Sequence, residues 1–425
     1  MRIRVKPLTR VEGHGGIYVE IDEEGVRDAK FEVFEGPRFF ESIIRGFRYE
    51  LVPDIMRRIC AICTASHSLA SIRAIEDALK VEISEQTKML RDLLIHGEMI
   101  ESHSLHLFAL ALPDYLGFPS VIQMAEKYPE EVRGALQLKK AGNMVHVALS
   151  GREVHGMNER VGGFSSIPSE DELEEILKTM REVRKFALLS VDLFSSLEIP
   201  GFPESENVLL ASEPYERFGF LGEKIRVSNG EVFDVHEYRS YLRELSLEHS
   251  RAKHVLFRNR SFMVGALSRV HLFGERLEGE AGELYRENRE KINPENSLTI
   301  NLAQAIELVH SVDRCIEIIE ELLSRGIEKE EFPEIEVFES RGTSCVEAPR
   351  GTLIHSYELD EKGRIISADV ITPTAMNSAN IEKDLRVSAE RLLRDEEIER
   401  KIQLIPRAYD PCISCATHLI VRRDL

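Results

Sequence analysis

The sequence predicts an α+β fold that is predominantly helical, with a large helical bundle core and small β-sheets near the N-terminus and before a C-terminal cysteine motif. Long segments with apolar residues at helical spacing occupy the middle of the 425-residue chain. Short runs that alternate apolar and polar residues lie near both ends. Because no internal repeat or clear linker separates these parts, we expect a single domain, 1–425, with a β region at 1–36, a helical body at 37–350, and a β-hairpin, a helix and the cysteine motif at 351–418.

Local patterns justify each predicted element. Residues 17–34 alternate apolar and polar side chains around a Glu-Glu-Gly turn, which predicts a hairpin. Ser84 can cap a long helix that we expect to run to about Leu112 and to stop at Pro113. Further helices are predicted near 130–149, 169–197, 297–325 and 379–395, and two strands within 352–372.

The composition argues against several classes of protein. A formal net charge of −19 argues against nucleic-acid binding, because phosphate contacts need a basic surface. The apolar stretches are far shorter than the ~20 residues of a membrane span, and the first residues have no apolar signal core. We therefore expect a soluble cytoplasmic protein with no nucleic-acid and no membrane partner. Abundant Glu, Lys and Arg, with only five Gln, favour a thermophilic source.

Four of the six cysteines form two CxxC pairs at opposite ends of the chain, Cys60–Cys63 and Cys412–Cys415. In a long chain this usage indicates a metal or redox site and not a disulfide framework. Thiolates are soft donors that select zinc, copper(I), iron–sulfur or nickel-type sites. Structural zinc modules usually carry both pairs close together in sequence, and a redox CxxC is expected near a βαβ pattern. We therefore expect the two chain ends to meet, with four thiolates on one metal centre.

Further motifs accompany the two pairs in a fixed order. They are Pro7-Leu8-Thr9-Arg10-Val11-Glu12-Gly13-His14, Arg38-Phe39-Phe40-Glu41, Arg58-Ile59-Cys60-x-x-Cys63-x-x-x-His67, His103 through Asp114-Tyr115, Glu347-Ala348-Pro349-Arg350-Gly351, Thr372-Pro373-Thr374-Ala375-Met376-Asn377 and Asp410-Pro411-Cys412-x-x-Cys415-x-x-His418. Along the whole chain these motifs resemble the large subunit of [NiFe] hydrogenases. The segment 35–41 is most similar to the cytosolic, archaeal-type sulfhydrogenase branch, which couples to NADP(H).

The resemblance implies a nickel–iron centre. Cys60 and Cys412 would be terminal ligands of nickel, and Cys63 and Cys415 would bridge nickel and iron. The iron would carry CO and two cyanides, which no side chain supplies.

The resemblance also implies which side chains cover the iron. Pro349, Arg350 and Thr374 would lie there, and a guanidinium and a hydroxyl are suitable donors to cyanide. Arg350 would also overhang the vacant nickel–iron position, where it could polarise H2. Asp114 and Asp410 would orient this arginine.

Proton transfer has its own implied residues. In heterolytic H2 cleavage the thiolate of Cys412 would receive the proton, and the carboxylate of Glu12 would carry it away. His67 would hydrogen-bond near a bridging sulfur and tune it.

The C-terminal end carries two further implications. A magnesium ion would be held by Glu41, His418 and the backbone carbonyl of Val370. Residues 419–425 follow that histidine, and in this family a maturation endopeptidase cuts there once nickel is in place. We therefore interpret these residues as a cleavable tail. Ala61 stands where the family usually has Gly, a small change that should not alter the ligands.

Electron transfer requires partner chains. The sequence has no GxGxxG after a strand and no Walker loop, and its remaining cysteines cannot hold an iron–sulfur cluster. The resemblance therefore implies a small Fe-S subunit together with further Fe-S and flavin (FAD)- or NAD(P)-binding subunits, which pass electrons to NAD(P) or to sulfur or polysulfide.

Three alternatives stay open at this stage. One is the large subunit of a deazaflavin- or heterodisulfide-linked hydrogenase, with the same metal site and other partners. Another is the hydrogenase-derived subunit of respiratory complex I, which lacks the cysteine ligands that this chain keeps. The third is a zinc-stabilised interaction protein.

Overall fold

The computed structural model of the chain describes residues 1–215 and 217–417. The α-helices are α1 Phe40–Ile43, α2 Val52–Met56, α3 Thr64–Leu79, α4 Glu85–Leu105, α5 Leu112–Leu116, α6 Val121–Met124, α7 Pro129–Ser150, α8 Glu170–Ser196, α9 Tyr238–Tyr241, α10 Ala266–Phe273, α11 Gly279–Asn288, α12 Ile300–Arg325, α13 Pro373–Arg391, α14 Ile398–Ile402, α15 Leu404–Ala408 and α16 Ile413–Ala416. The strands are β1 Arg2–Val5, β2 Gly15–Asp22, β3 Gly25–Val33, β4 Glu159–Arg160, β5 Gly163–Phe164, β6 Leu210–Pro214, β7 Leu221–Val227, β8 Val232–Asp234, β9 Leu242–Leu245, β10 His254–Phe257, β11 Ser340–Ala348, β12 Gly351–Leu359 and β13 Ile365–Ile371.

Four long helices, α4, α7, α8 and α12, pack against one another as the central bundle. Two of them begin at serine caps: Ser84 accepts a hydrogen bond from the backbone of Thr87, and Ser169 forms a capping box with Glu172. Where α4 and α7 cross, a Cβ atom at Gly142 would lie 2.8 Å from the backbone nitrogen of Glu101. Glycine there lets the two helices approach closely.

Antiparallel sheets flank this bundle. Strands β1, β2 and β3 form the N-terminal sheet, and a six-stranded sheet has the order β13-β12-β11-β7-β6 with β8 paired to β7. Helix α3 packs on β11 and β12, while α13 packs on β3 and β10. The tight turn between β11 and β12 carries Pro349 and Arg350, so the sheet presents this arginine at its tip.

The predicted fold class is confirmed: the chain is mainly helical, with sheets built from both ends. Two details differ from the prediction. Strands β6 to β8 lie inside the expected helical body and join the C-terminal strands through β7 and β11. Pro113 does not stop the long helix, because a π-helical turn, His106–Ala111, precedes it and the proline falls in the first turn of α5.

Within the described ranges, no helix combines the length and the apolar composition that crossing a bilayer would need.

Candidate metal centre

The two CxxC segments lie side by side in the core. Cys60 follows a 3-10 turn and Cys63 immediately precedes α3, while Cys412 and Cys415 lie in and next to the short helix α16. The backbone of Glu12 forms a bridge to Cys412, and its carbonyl accepts a hydrogen bond of 3.1 Å from the nitrogen of Ile413. The N-terminal motif therefore holds the C-terminal cysteine segment against the first one.

Four sulfur atoms converge at this point. The Sγ atoms of Cys60 and Cys412 are 3.2 Å apart, those of Cys63 and Cys415 3.5 Å, and those of Cys412 and Cys415 2.8 Å. All four atoms lie within 4.8 Å of one another, and all four residues are buried. Four thiolates at this spacing are a soft donor set, which fits nickel and iron.

Arg38 joins the two cysteine segments. Its guanidinium donates hydrogen bonds to the backbone carbonyls of Ile59 and Ser414, the residues next to Cys60 and Cys415. One rigid fork thus fixes both segments relative to each other.

Arg350 lies beside the sulfur atoms at the tip of the β11–β12 hairpin. Its Nε donates to the carbonyl of Asp410 at 2.6 Å, and its Nη2 donates to the carboxylate of the same residue at 3.1 Å. Its Nη1 is buried without a partner. Burial lowers the pKa of Arg350, but Asp410 and the cysteines outweigh it, so the pKa stays well above its ordinary value. A charged donor with one free nitrogen fits an anionic diatomic ligand such as cyanide.

The backbone and a hydroxyl complete this wall. Asp410 adopts φ 49°, a left-handed conformation that non-glycine residues rarely take and that occurs often at functional sites. Thr374, in the first turn of α13, accepts a hydrogen bond of 3.0 Å from the nitrogen of Cys412 through its Oγ1. Its own hydroxyl proton therefore remains available as a donor.

Glu12 connects the sulfur cluster to the protein surface. Its carboxylate accepts hydrogen bonds from the Sγ of Cys412 at 3.2 Å and from the nitrogen of Ser414 at 3.0 Å, and also from the hydroxyl of Ser414. Cys412 is buried, whereas Glu12 is partly exposed. A carboxylate in this position can accept a proton at a buried sulfur and release it outwards.

Asp114 does not orient Arg350, contrary to the prediction. Its carboxylate pairs with Arg407 at 3.1 Å and with Arg10. The two arginines come from the N-terminal motif and from α15, so Asp114 anchors those segments instead. Of the two predicted carboxylates, only Asp410 contacts Arg350.

His67 lies in the first turns of α3, close to the sulfur atoms, but its ring contacts another histidine. Its Nδ1 is 3.1 Å from Nε2 of His355, and its own Nε2 is buried without a hydrogen-bond partner. Burial lowers the pKa of His67 to about 4, so the ring is neutral. A hydrogen bond from His67 to a bridging sulfur is therefore not formed in this structure.

The residues predicted to hold magnesium are partly together. Glu41 Oε1 accepts a hydrogen bond of 2.8 Å from the backbone nitrogen of Val370, and the ammonium group of Lys253 is 3.5 Å away. Burial raises the pKa of Glu41. His418 lies outside the described residues.

Two positioning residues escaped sequence reasoning. The guanidinium of Arg269 donates to the carbonyls of Ala348 and Pro349 at 3.0 and 3.2 Å, directly before Arg350. Glu98 on α4 accepts from the backbone nitrogen of Ala65 at 2.7 Å, and so caps α3 just after Cys63. Neither residue belongs to a recognisable motif, so only the fold reveals them.

Comparison with known proteins decides the family. A family model described as nickel-dependent hydrogenase matches residues 38–141 and 236–418, and a HoxL-like model matches residues 2–35. The chain belongs to the nickel-dependent hydrogenase family. It is 41% identical, over 99% of its length and the whole of the relative, to the alpha subunit of sulfhydrogenase 2 of Pyrococcus furiosus. It is 39% identical to the alpha subunit of sulfhydrogenase 1 of the same organism, over 98% of both chains.

A solved structure agrees with this assignment. The crystal structure of an NAD+-reducing [NiFe]-hydrogenase in the H2-reduced state superimposes with a TM-score of 0.88 at 26% identity, covering 98% of this chain and 99% of that one. The chain is therefore the catalytic subunit of a [NiFe] hydrogenase. The methanogen-type alternative is not favoured, because the matching chain of the F420-non-reducing hydrogenase vhu of Methanocaldococcus jannaschii is only 30% identical.

Proposed function

We propose that this hydrogenase chain cleaves H2 and reduces protons in the cytoplasm, and that partner chains pass its electrons to NAD(P) or to sulfur or polysulfide. The two Pyrococcus sulfhydrogenase alpha subunits support this, and so does the beta subunit of the NAD-reducing hydrogenase HoxS of Cupriavidus necator, 28% identical over 100% of this chain. The partners would be a small Fe-S subunit together with further Fe-S and FAD- or NAD(P)-binding subunits. The same relatives support an archaeal, thermophilic source.

The nickel–iron centre would be held by the four converging sulfur atoms. In this proposal Cys60 and Cys412 bind nickel alone, and Cys63 and Cys415 bind both metals. When bound, this centre supplies the heterolytic activation of H2. The unpartnered Nη1 of Arg350 and the hydroxyl of Thr374 support their role as donors to the CO and cyanide ligands of iron, with Pro349 closing the wall beside them.

The proton would leave by a short route. The thiolate of Cys412 takes it, and Glu12 accepts it across the 3.2 Å contact between the sulfur and the carboxylate. This contact is the observation that carries the proposal, because it joins a buried ligand to a partly exposed base. Ser414 holds the carboxylate in place through its backbone nitrogen and hydroxyl. His67 keeps a neutral, buried ring nitrogen near the cluster, which suits a tuning role.

The C-terminal proposals rest on fewer contacts. A magnesium ion would bind Glu41, the carbonyl of Val370 and His418. The ammonium group of Lys253 beside Glu41 supports a need for positive charge there. A maturation endopeptidase would remove residues 419–425.

The variant Glu12→Gln tests the proton route. We expect the rate of H2 oxidation to fall by about 10²-fold or more, because an amide cannot accept the proton. Nickel and iron content, and the infrared bands of CO and cyanide, should not change. Glu35→Gln is the matched control, because Glu35 accepts a hydrogen bond from the nearby backbone of His14 without touching a cysteine. Full activity in Glu12→Gln would refute this route.

A further inference from the structure

A second group of metal-ligating side chains lies away from the cysteine centre. His249 precedes β10, His254 begins that strand, and Glu382 lies on α13. One ligand atom from each residue lies within 4.8 Å of the other two. His254 is buried, and the other two residues are partly exposed.

Hydrogen bonding among these residues is incomplete. Glu382 Oε1 is 2.6 Å from Nε2 of His249, and it also accepts a hydrogen bond of 3.0 Å from the nitrogen of Phe31 on β3. Glu382 Oε2 is 3.8 Å from Nδ1 of His254, which is too far for a hydrogen bond. The Nε2 of His254 is buried without a partner. The group therefore has open lone pairs and an unused ring nitrogen.

The charge of Glu382 is also poorly balanced. Over the described part of the chain, its ion-pair partners are the two histidines, with no lysine or arginine within ion-pair distance. Its side chain is only 18% exposed. A carboxylate withdrawn from water is costly unless a cation or several donors compensate it.

We propose that His249, His254 and Glu382 bind one divalent transition-metal ion of the zinc type, with water as the fourth ligand. Two imidazoles and one carboxylate with an open position are an established zinc donor set. Tetrahedral zinc places its ligand atoms about 3.3 Å apart, given metal–ligand distances near 2.0–2.2 Å. The separation of 3.8 Å between His254 and Glu382 thus closes with a shift of about half an ångström. The partial exposure of His249 and Glu382 gives water access to the fourth position.

Such an ion would fasten three parts of the fold. It would join the loop before β10, the strand itself and the middle of α13, which already contacts β3 through Phe31. Thr374 stands on the same helix, about 12 Å from Glu382 along its axis. The ion is therefore a structural clip on the helix that supports the cysteine centre, and it takes no part in the H2 reaction.

Zinc binding to the purified hydrogenase complex tests this site. The complex is used with its nickel–iron centre loaded, so that the four thiolates are occupied. After dialysis against micromolar zinc we expect one extra zinc ion for each copy of this chain, with only nitrogen and oxygen ligands in X-ray absorption. His249→Gln and Glu382→Gln should lose this ion. His236→Gln is the matched control and should retain it, because His236 also lies between two carboxylates, Asp77 and Asp234, but has no second histidine.

A folding control keeps the test decisive. His249 is partly exposed and glutamine at 382 can still accept the hydrogen bond from Phe31, so both variants should fold; circular dichroism checks this. Zinc should raise the melting temperature of the unmodified complex and leave that of His249→Gln unchanged. Zinc retained in both variants, zinc bound through sulfur, or a histidine–carboxylate hydrogen bond only, with no extra zinc in the unmodified complex, would each overturn the proposal.

Discussion

Two buried arginines contact the segment 347–350, and they use their donors in opposite ways. Arg269 uses every nitrogen: it pairs with both oxygens of Glu307 at 2.6 and 2.7 Å, with Glu347 at 2.9 Å, and with two backbone carbonyls. Arg350 pairs only with Asp410 and keeps Nη1 free. Over the described residues, that Nη1 is the sole buried terminal guanidinium nitrogen without a partner.

The difference separates scaffold from site. A guanidinium whose donors are all satisfied by fixed groups holds those groups in place and has nothing to offer a ligand. A guanidinium that is tied on one side is oriented but still able to donate. Arg269 therefore fixes the backbone that carries Arg350, and Arg350 faces the sulfur atoms. Removing the first should cost stability, and altering the second should cost activity.

Arg269→Met should give the largest effect. It leaves Glu307 and Glu347 buried without their cation, so we expect a loss of about 3–5 kcal/mol in the free energy of unfolding. Denaturant titration of the purified chain measures it. The control is Arg181→Met, which breaks an exposed pair with Glu320 and should cost less than about 1 kcal/mol. Equal losses in the two variants would contradict the scaffold role of Arg269.

Arg350→Lys should reverse this pattern. Lysine can still pair with Asp410, so the melting temperature should change little, but one ammonium group cannot also supply the free Nη1. We expect H2 oxidation to fall by about 10²- to 10³-fold, as for the loss of one oriented donor. The cyanide infrared bands should shift as well. Arg91→Lys is the control for burying a lysine, because Arg91 pairs with Glu76 away from the cysteines. Normal activity in Arg350→Lys would refute the donor role.

Sequence reasoning reached the parts of the site that motifs encode. The two CxxC pairs, with a resemblance that runs along the chain, correctly predicted that the two ends meet. Glu12, Arg350 and Thr374 came from neighbouring motifs, and all three lie against the cysteine segments. Helix caps such as Ser84 were readable because the signal is local.

Sequence reasoning failed where a contact joins distant residues without a motif. Strand β7 pairs with β11 although more than a hundred residues separate them, so the central strands were missed. Asp114 was assigned to Arg350 because nothing in the sequence indicates that Arg407 and Arg10 reach it first. Arg269 has no motif, and its role depends on the packing of α10 against α12.

His236→Gln extends the comparison to the surface and should give the smallest effect. Partial burial lowers the pKa of His236, but hydrogen bonds to Asp77 and Asp234 outweigh it, so the pKa is raised. The charged ring therefore adds stability that is fully present below the unfolded pKa of about 6.5 and is lost as pH rises through the raised folded value. Because the side chain is 48% exposed, we expect less than about 1 kcal/mol between the chain and its variant at pH near 6, and none at high pH. Denaturant titration at the two pH values measures it, and a difference independent of pH would mean that the ring acts through packing, unlike the buried arginines, whose partners water cannot replace.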